Sequence, residues 1–277
     1  MTLFDDIRQL EERLQDELIA AGSYSSVDDF VRAYTAAVID GLPADPAAAD
    51  IDSIVRTALE NSRDIINAGL GAQIDASTRK IVADTVAFYE GLGVALPDLA
   101  EAVERSREIK DLTEVFQAGM AQMREELLEG TIEVMQRQIA SAGVDRGLLE
   151  EAILEFADGK AFFARVNAKM VVSAYNRIGR DQVRQSAGLQ HGLYFGDIRT
   201  NTRPFCRRLV GKVFAVEQIE AMNNGQLAPV KVYAGGWNCI HSWLWVDPDW
   251  DEELKNRLSV DEAVRPVKED GLDLIVP

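Results

Sequence analysis

The sequence predicts a mainly α protein: an elongated helical bundle with a long antiparallel helix hairpin, followed by a small α+β module. Three observations carry this reading. Apolar residues recur at helical spacing through most of the first 190 residues. Two long periodic segments are joined by a short turn at 141–145. Beyond Gly188 the pattern shortens, and Trp237 to Val246 alternates as a strand does. The divisions that follow are a helical region at 1–190, a module at 191–246 and an acidic tail at 247–277.

Residues 2–20 place Leu3, Ile7, Leu10, Leu14 and Leu18 on one helical face. Gly22-Ser23 interrupts, and Ser26 suits the N-cap of a second helix carrying Phe30, Val31, Tyr34 and Val38. Gly41-Leu42-Pro43 ends that helix. An alanine-rich helix then runs to about Asn67, with Gly69 and Gly71 marking its end, and another spans roughly Ala72 to Tyr89. Pro97 suits the first turn of a short helix. The hairpin follows. Residues 109–141 carry Leu112, Phe116, Met120, Met123 and Leu127; the second arm carries Leu149, Ile153, Phe156, Phe163 and Met170 and ends near Ala187. At about 1.5 Å per residue each arm reaches ~50 Å. The Met and Phe residues on these stripes read as core.

Composition narrows the function classes. The chain has 277 residues, 47% hydrophobic and 27% charged, which suits a folded soluble protein with a substantial core. No apolar run approaches the roughly 20 residues of a membrane span, and the start Met1-Thr2-Leu3-Phe4-Asp5-Asp6 lacks the marks of a secretory signal. Synthesis in the cytoplasm is expected. The net charge is −17, with a local balance of +3 between Asp197 and Val246, so the remainder carries −20. Such acidity repels nucleic acid and argues against direct DNA binding by the whole surface. Arg199, Arg203, Arg207, Arg208 and Lys212 read as a solvated face or as pairs with local carboxylates, the alternative being contact with phosphate or an acidic protein surface.

Both cysteines and both histidines lie between 191 and 241. Two cysteines cannot frame a disulfide-dense domain, so the fold must rest on its core. In this stretch Gly211-Lys212-Val213-Phe214 reads as a turn and strand, Val216–Met222 as two helical turns, and Val230–Tyr233 as a strand. Gly235-Gly236 reads as a tight turn and Trp237–Val246 as the last strand, with Cys239, His241, Trp243 and Trp245 on one face. Phe205, Trp237, Trp243 and Trp245 look like the core of the module.

The series Thr202-Arg203-Pro204-Phe205-Cys206, Gly211-Lys212-Val213-Phe214, Gln218-Ile219, Asn223-Asn224-Gly225-Gln226 and Gly235-Gly236-Trp237-Asn238-Cys239-Ile240-His241 resembles the phage head-morphogenesis family of Mu-type minor head proteins. That family places a helical region before a module with Arg-x-x-Cys, Gly-Lys-Val-Phe and Asn-Cys-x-His elements. Asp197, Arg203, Cys206, Gly211, Lys212, Gly235, Gly236, Trp237, Asn238, Cys239 and His241 carry the pattern here. Ile240 departs from it, standing where relatives often have Arg, so a role for that Arg does not transfer. The resemblance implies a structural minor capsid protein of the virion, made in the host cytoplasm and present in several copies. Its implied partners are portal or major capsid subunits, and its implied role is head assembly, with DNA packaging or ejection.

No catalytic residue is assigned, because no nucleophile elbow, phosphate loop or zinc-protease motif is present. No cofactor or metal is assigned: Cys206 and Cys239 read as packed small residues near enough to oxidise, and the alternative is a zinc site of Cys206, Cys239 and His241 with Asp197 or His191 as a fourth ligand. Without zinc, His241 would bond a carbonyl or Asp197. The reading from a different class is a metal-dependent nuclease or toxin-like enzyme on a helical delivery region, using Asn238 and His241.

Overall fold

In a computed structural model the described residues are 3–21, 24–44, 49–94, 96, 107–142 and 145–258. Long helices dominate: α1 (Leu3–Ala21), α2 (Ser25–Asp40), α3 (Ile51–Gly91), α4 (Arg107–Ala142) and α5 (Arg146–Ala187). A small mixed region follows, with a three-stranded sheet among four short helices and a 3₁₀ turn. The fold class expected from sequence is the one observed. No described helix is long and apolar enough to cross a membrane.

Two compact units share the chain. One comprises Glu17–Arg79 and Lys110–Val172, and its described elements are all helices. Its core includes Phe30, Tyr34, Val38, Ile66, Leu70, Leu127 and Ile153, all nearly inaccessible to solvent. Arms α4 and α5 run antiparallel within it. Glu126 pairs with Lys160 at 2.8 Å, Gly130 faces Phe156 and Gly119 faces Asn167, so residue numbers fall along one helix as they rise along the other. Ala157, Ala161, Ala164 and Ala168 line the buried stripe of α5, where a small side chain lets another helix approach closely. The Tyr34 hydroxyl donates to Thr131 Oγ1 at 2.7 Å inside this core.

Two readings of this region need correction. Helix α3 is continuous, although Gly69 and Gly71 looked like its end. Helical glycine costs about 1 kcal/mol relative to alanine, but Gly69 lies against α2, where an added Cβ would come within 2.8 Å of the Ser26 Cβ. The buried Ile66 and Leu70 beside it hold the helix together. Tertiary contact therefore outweighs propensity. Ser26 is also not the N-cap of α2; Tyr24 holds that place. Ser26 sits buried in the first turn, donating to Gln73 Oε1 at 2.6 Å. The short helix expected after Pro97 lies outside the described residues.

The other unit comprises Met1–Asp16, Lys80–Ile109 and Ser173–Pro277. Its antiparallel sheet has the order β2-β1-β3, from β1 (His191–Phe195), β2 (Val213–Ala215) and β3 (Ser242–Val246). His191 pairs with Ala215 on one side and Val246 on the other, while Phe195 pairs with Ser242. The short helices are α6 (Pro204–Leu209), α7 (Val216–Ala221), α8 (Val230–Tyr233) and α9 (Glu252–Asn256). The acidic segment begins folded. Asp247 accepts from the Asp249 N–H at 2.9 Å, Asp251 accepts from the Glu253 N–H at 2.8 Å, and the Val213 N–H of β2 reaches the Arg257 carbonyl at 2.8 Å.

Here too the sequence reading is revised. Val230–Tyr233 is a helical turn, not a strand. Its backbone closes locally after Pro229, with Val232 and Tyr233 N–H both at 3.0 Å from the Pro229 carbonyl. The last strand starts at Ser242, not Trp237, and all five of its residues are buried. Trp237 is 41% exposed and leaves the core to Phe205, Trp243 and Trp245.

An edge strand needs its free main-chain groups covered. The last part of α5 covers β3. Arg177 donates to the His241 carbonyl, Arg180 to the Trp243 carbonyl at 3.4 Å, and the Tyr89 hydroxyl of α3 both donates to the Trp245 carbonyl (2.9 Å) and accepts from its N–H (3.0 Å). Residues 241, 243 and 245 alternate on this edge as strand geometry requires, and Arg177 and Arg180 meet them at helical spacing. Arg184 continues the row, its guanidinium 5.1 Å from the Trp245 ring centre.

Candidate functional site

Cys206, Cys239 and His241 come together inside the second unit, all buried, their ligand atoms within 4.8 Å of one another. Three elements deliver them. Pro204 opens α6 at a position where its missing N–H costs nothing, and places Cys206 one turn in. Cys239 closes the tight loop after α8, and His241 immediately precedes β3. The sulfurs are 3.7 Å apart, and Cys239 Sγ is 3.6 Å from His241 Nδ1. Both cysteines are free.

The loop is shaped for close approach. A Cβ on Gly235 would fall 2.2 Å from Cys206 Sγ and 2.9 Å from Cys239 Sγ, so only glycine fits. The Gly235 N–H instead donates to Cys239 Sγ at 3.2 Å. Gly236 and Asn238 complete the turn with φ of 92° and 54°. From beneath, Arg177 anchors the loop through the carbonyls of Val232 (3.0 Å), Cys239 (2.7 Å) and His241 (2.9 and 2.5 Å), and Ser173 Oγ adds a bond to the Cys239 carbonyl at 3.2 Å. Lys231 in α8 and Arg184 both pair with the buried Asp181, at 3.0 and 2.6 Å.

Tyr194 in β1 completes the centre. Its hydroxyl lies 3.4 Å from Cys206 Sγ and 3.8 Å from Cys239 Sγ, and its ring stacks on His241 at 5.6 Å with a 4° tilt. The bond from Cys206, together with His241 and Arg177, draws the Cys239 thiol well below its usual range; the same bond and burial push Cys206 up. Burial pushes the Tyr194 phenol up, and the neighbouring sulfurs add to this. His241 Nε2, on the other side of the ring, is buried without a hydrogen-bond partner. Burial also raises the Glu11 carboxyl of α1, with Asp197 adding and His241 opposing.

The remaining motif residues divide between scaffolding and surface. Arg203 caps no anion; its guanidinium holds the Gly235 carbonyl at 3.0 Å and the Trp237 carbonyl at 2.5 Å, tying α6 to the cysteine loop. Gly211, at φ 81°, and Lys212 act through backbone: the Gly211 N–H reaches the Tyr194 carbonyl at 2.8 Å, and the Tyr194 N–H reaches the Lys212 carbonyl at 3.0 Å. Arg207 gathers the carbonyls of Thr202, Thr200 and Arg199. Local carbonyls thus take two of the basic residues, and Arg199 pairs with the carboxylate of Asp197 at 3.6 Å.

Neither expected fourth ligand joins the cluster. Asp197 is exposed and paired with Arg199, and His191 lies at the opposite end of β1 from the strand end facing Ser242. His241 bonds no carbonyl through its ring and does not bond Asp197; its Nδ1 faces Cys239. Asn238 is exposed whereas His241 is buried, so the two do not present one open surface. Tyr194 and Arg177 escaped the sequence reading. Arg177 gave no distinct signal, because it stands among Asn176, Arg180, Asp181, Gln182, Arg184 and Gln185 in a polar stretch of the helix.

No family profile matches the chain, and neither curated proteins nor solved structures give a match. What the centre can do follows from its chemistry. Buried soft donors can chelate a cation, share a proton or close a disulfide, but offer no nucleophile to a bulky substrate.

Proposed function

We propose that this protein is a structural minor head protein of a tailed phage, acting in head assembly through contacts with portal or major capsid subunits. The observation that carries the reading is the convergence of the family-like elements on one interior point. Arg203, Cys206, Gly235, Cys239 and His241, separated by up to 38 positions in the chain, meet as a buried tie between α6, the cysteine loop and β3. Such a tie keeps a small module folded and leaves its surface for assembly.

The helical unit supports the contact role. Val115, Leu148, Leu154 and Phe162 on α4 and α5 are exposed, Phe162 by 58%. Isolated exposed apolar residues are ordinary, but several on one pair of helices suit subunit contact. The net charge of −17 suits protein partners better than wrapped DNA. Several copies in a virion are consistent with this role, with DNA packaging or ejection as downstream effects.

The test is removal of the gene followed by imaging of the particles formed. Malformed, depleted or unpackaged heads, restored by the gene in trans, are expected. Normal infectious heads would overturn the proposal, as would metal-dependent DNA cleavage by the purified chain that His241→Ala abolishes.

A further inference from the structure

We propose that Cys206, Cys239 and His241 bind one zinc ion in a closed tetrahedral site whose fourth corner is the Tyr194 hydroxyl. Bonds of about 2.3 Å to sulfur and 2.0–2.1 Å to nitrogen, at tetrahedral angles, separate two sulfurs by about 3.8 Å and a sulfur from a nitrogen by about 3.6 Å. The observed separations are 3.7 Å between the sulfurs and 3.6 Å from Cys239 Sγ to His241 Nδ1. Both match a shared metal, and all three ligand atoms lie within 4.8 Å of one another.

The Tyr194 hydroxyl stands beside both sulfurs, where a fourth ligand would lie. An oxygen ligand at about 2.0–2.2 Å would stand about 3.5 Å from each sulfur, and the Tyr194 hydroxyl stands at 3.4 and 3.8 Å. Stacking on His241 fixes that ring in place. A corner held by a fully buried side chain leaves no position for water, so the metal is structural rather than hydrolytic. On binding, the two thiols lose their protons to solvent and coordinate as thiolates, while Tyr194 coordinates through its hydroxyl oxygen and keeps its phenol proton.

The surroundings fit a metal with soft ligands. The Gly235 N–H bonded to Cys239 Sγ stabilises a thiolate, and Arg177 places a buried positive charge against the Cys239 and His241 carbonyls.

Full-length protein, purified without chelator from zinc-replete cells, is expected to carry about one zinc per chain by elemental analysis. Cobalt(II) added to stripped protein should give a thiolate charge-transfer band and a tetrahedral visible spectrum, both displaced by zinc. Tyr194→Phe should retain the thiolate band, alter the visible envelope and weaken zinc binding about tenfold or more, measured by competition with a chromophoric chelator. Cys239→Ser and His241→Ala should weaken it further. Should those variants fail to fold, the wild-type titration decides alone. Less than a tenth of an equivalent of zinc taken up by reduced wild-type protein would overturn the proposal. So would an octahedral cobalt spectrum lacking thiolate character, or a Cys206–Cys239 disulfide forming at the same rate with zinc as without. An unchanged affinity and spectrum in Tyr194→Phe would overturn the tyrosine corner.

Discussion

Replacing Arg177 by methionine tests whether α5 holds the cysteine loop in place. The guanidinium is buried and bonds three carbonyls, those of Val232, Cys239 and His241. In the variant the Cys239 carbonyl keeps Ser173 Oγ at 3.2 Å, so the Val232 and His241 carbonyls lose the donor that Arg177 supplied. A buried acceptor stripped of its donor costs about 1–3 kcal/mol, giving roughly 2–6 kcal/mol for two. Methionine also relieves the desolvation of a buried cation, which offsets part of the loss. A net destabilisation of about 3 kcal/mol is expected, read as a lower urea midpoint at unchanged slope. Reaction of native protein with a thiol reagent should accelerate in parallel, because Cys206 and Cys239 depend on the same loop. Arg177→Lys should fall between, since an ammonium on a flexible stem does not fork to three carbonyls. A midpoint shift worth less than about 0.5 kcal/mol, with thiols still protected, would refute the anchoring argument.

Other perturbations separate packing from electrostatics. Gly235→Ala places a methyl 2.2 Å from Cys206 Sγ and should cost about 1–3 kcal/mol or more in thermal or urea unfolding; a neutral effect would show that the loop is not tightly apposed. Tyr34→Phe strands the Thr131 hydroxyl in the helical core and should cost about 1–2 kcal/mol. The wild-type Tyr34 phenol is pushed up to about 12 by burial, so its contribution is intact below pH ~10 and is lost as pH rises through about 12; an absorbance titration should show it ionising late. Glu11 is raised by burial and by Asp197, so its neutral form favours the fold: its stabilising contribution is present below its ordinary pKa and lost as pH rises through the raised one. Glu11→Gln should therefore be more stable than wild type at neutral pH, with the gap closing in acid. Equal stability of the two proteins at neutral pH would refute that assignment.

The helices and the hairpin were legible because their apolar stripes recur with one period. Leu112, Met120, Met123 and Leu127 are buried as that period requires. That Cys206, Cys239 and His241 could meet was legible from their close positions in the chain, although the strand face that was to align Cys239 with His241 begins only at Ser242. Strand β1 was not, because Leu193, Tyr194 and Phe195 are all buried, and a strand covered on both faces shows no alternation. The same burial hid Tyr194 as part of the centre. Trp237 misled for the opposite reason: its spacing from Trp243 and Trp245 implied one strand face, but the turn through Asn238 ends that register. Gly69 looked like a break because propensity is local, whereas the contact with Ser26 that gives it a use lies 43 positions away.

Quantitative mass spectrometry of purified heads tests the central claim most directly. The account predicts that this chain co-sediments with portal and capsid subunits at a fixed copy number above one per particle. Its absence from both precursor and mature heads, with the chain found only free in the lysate, would contradict it.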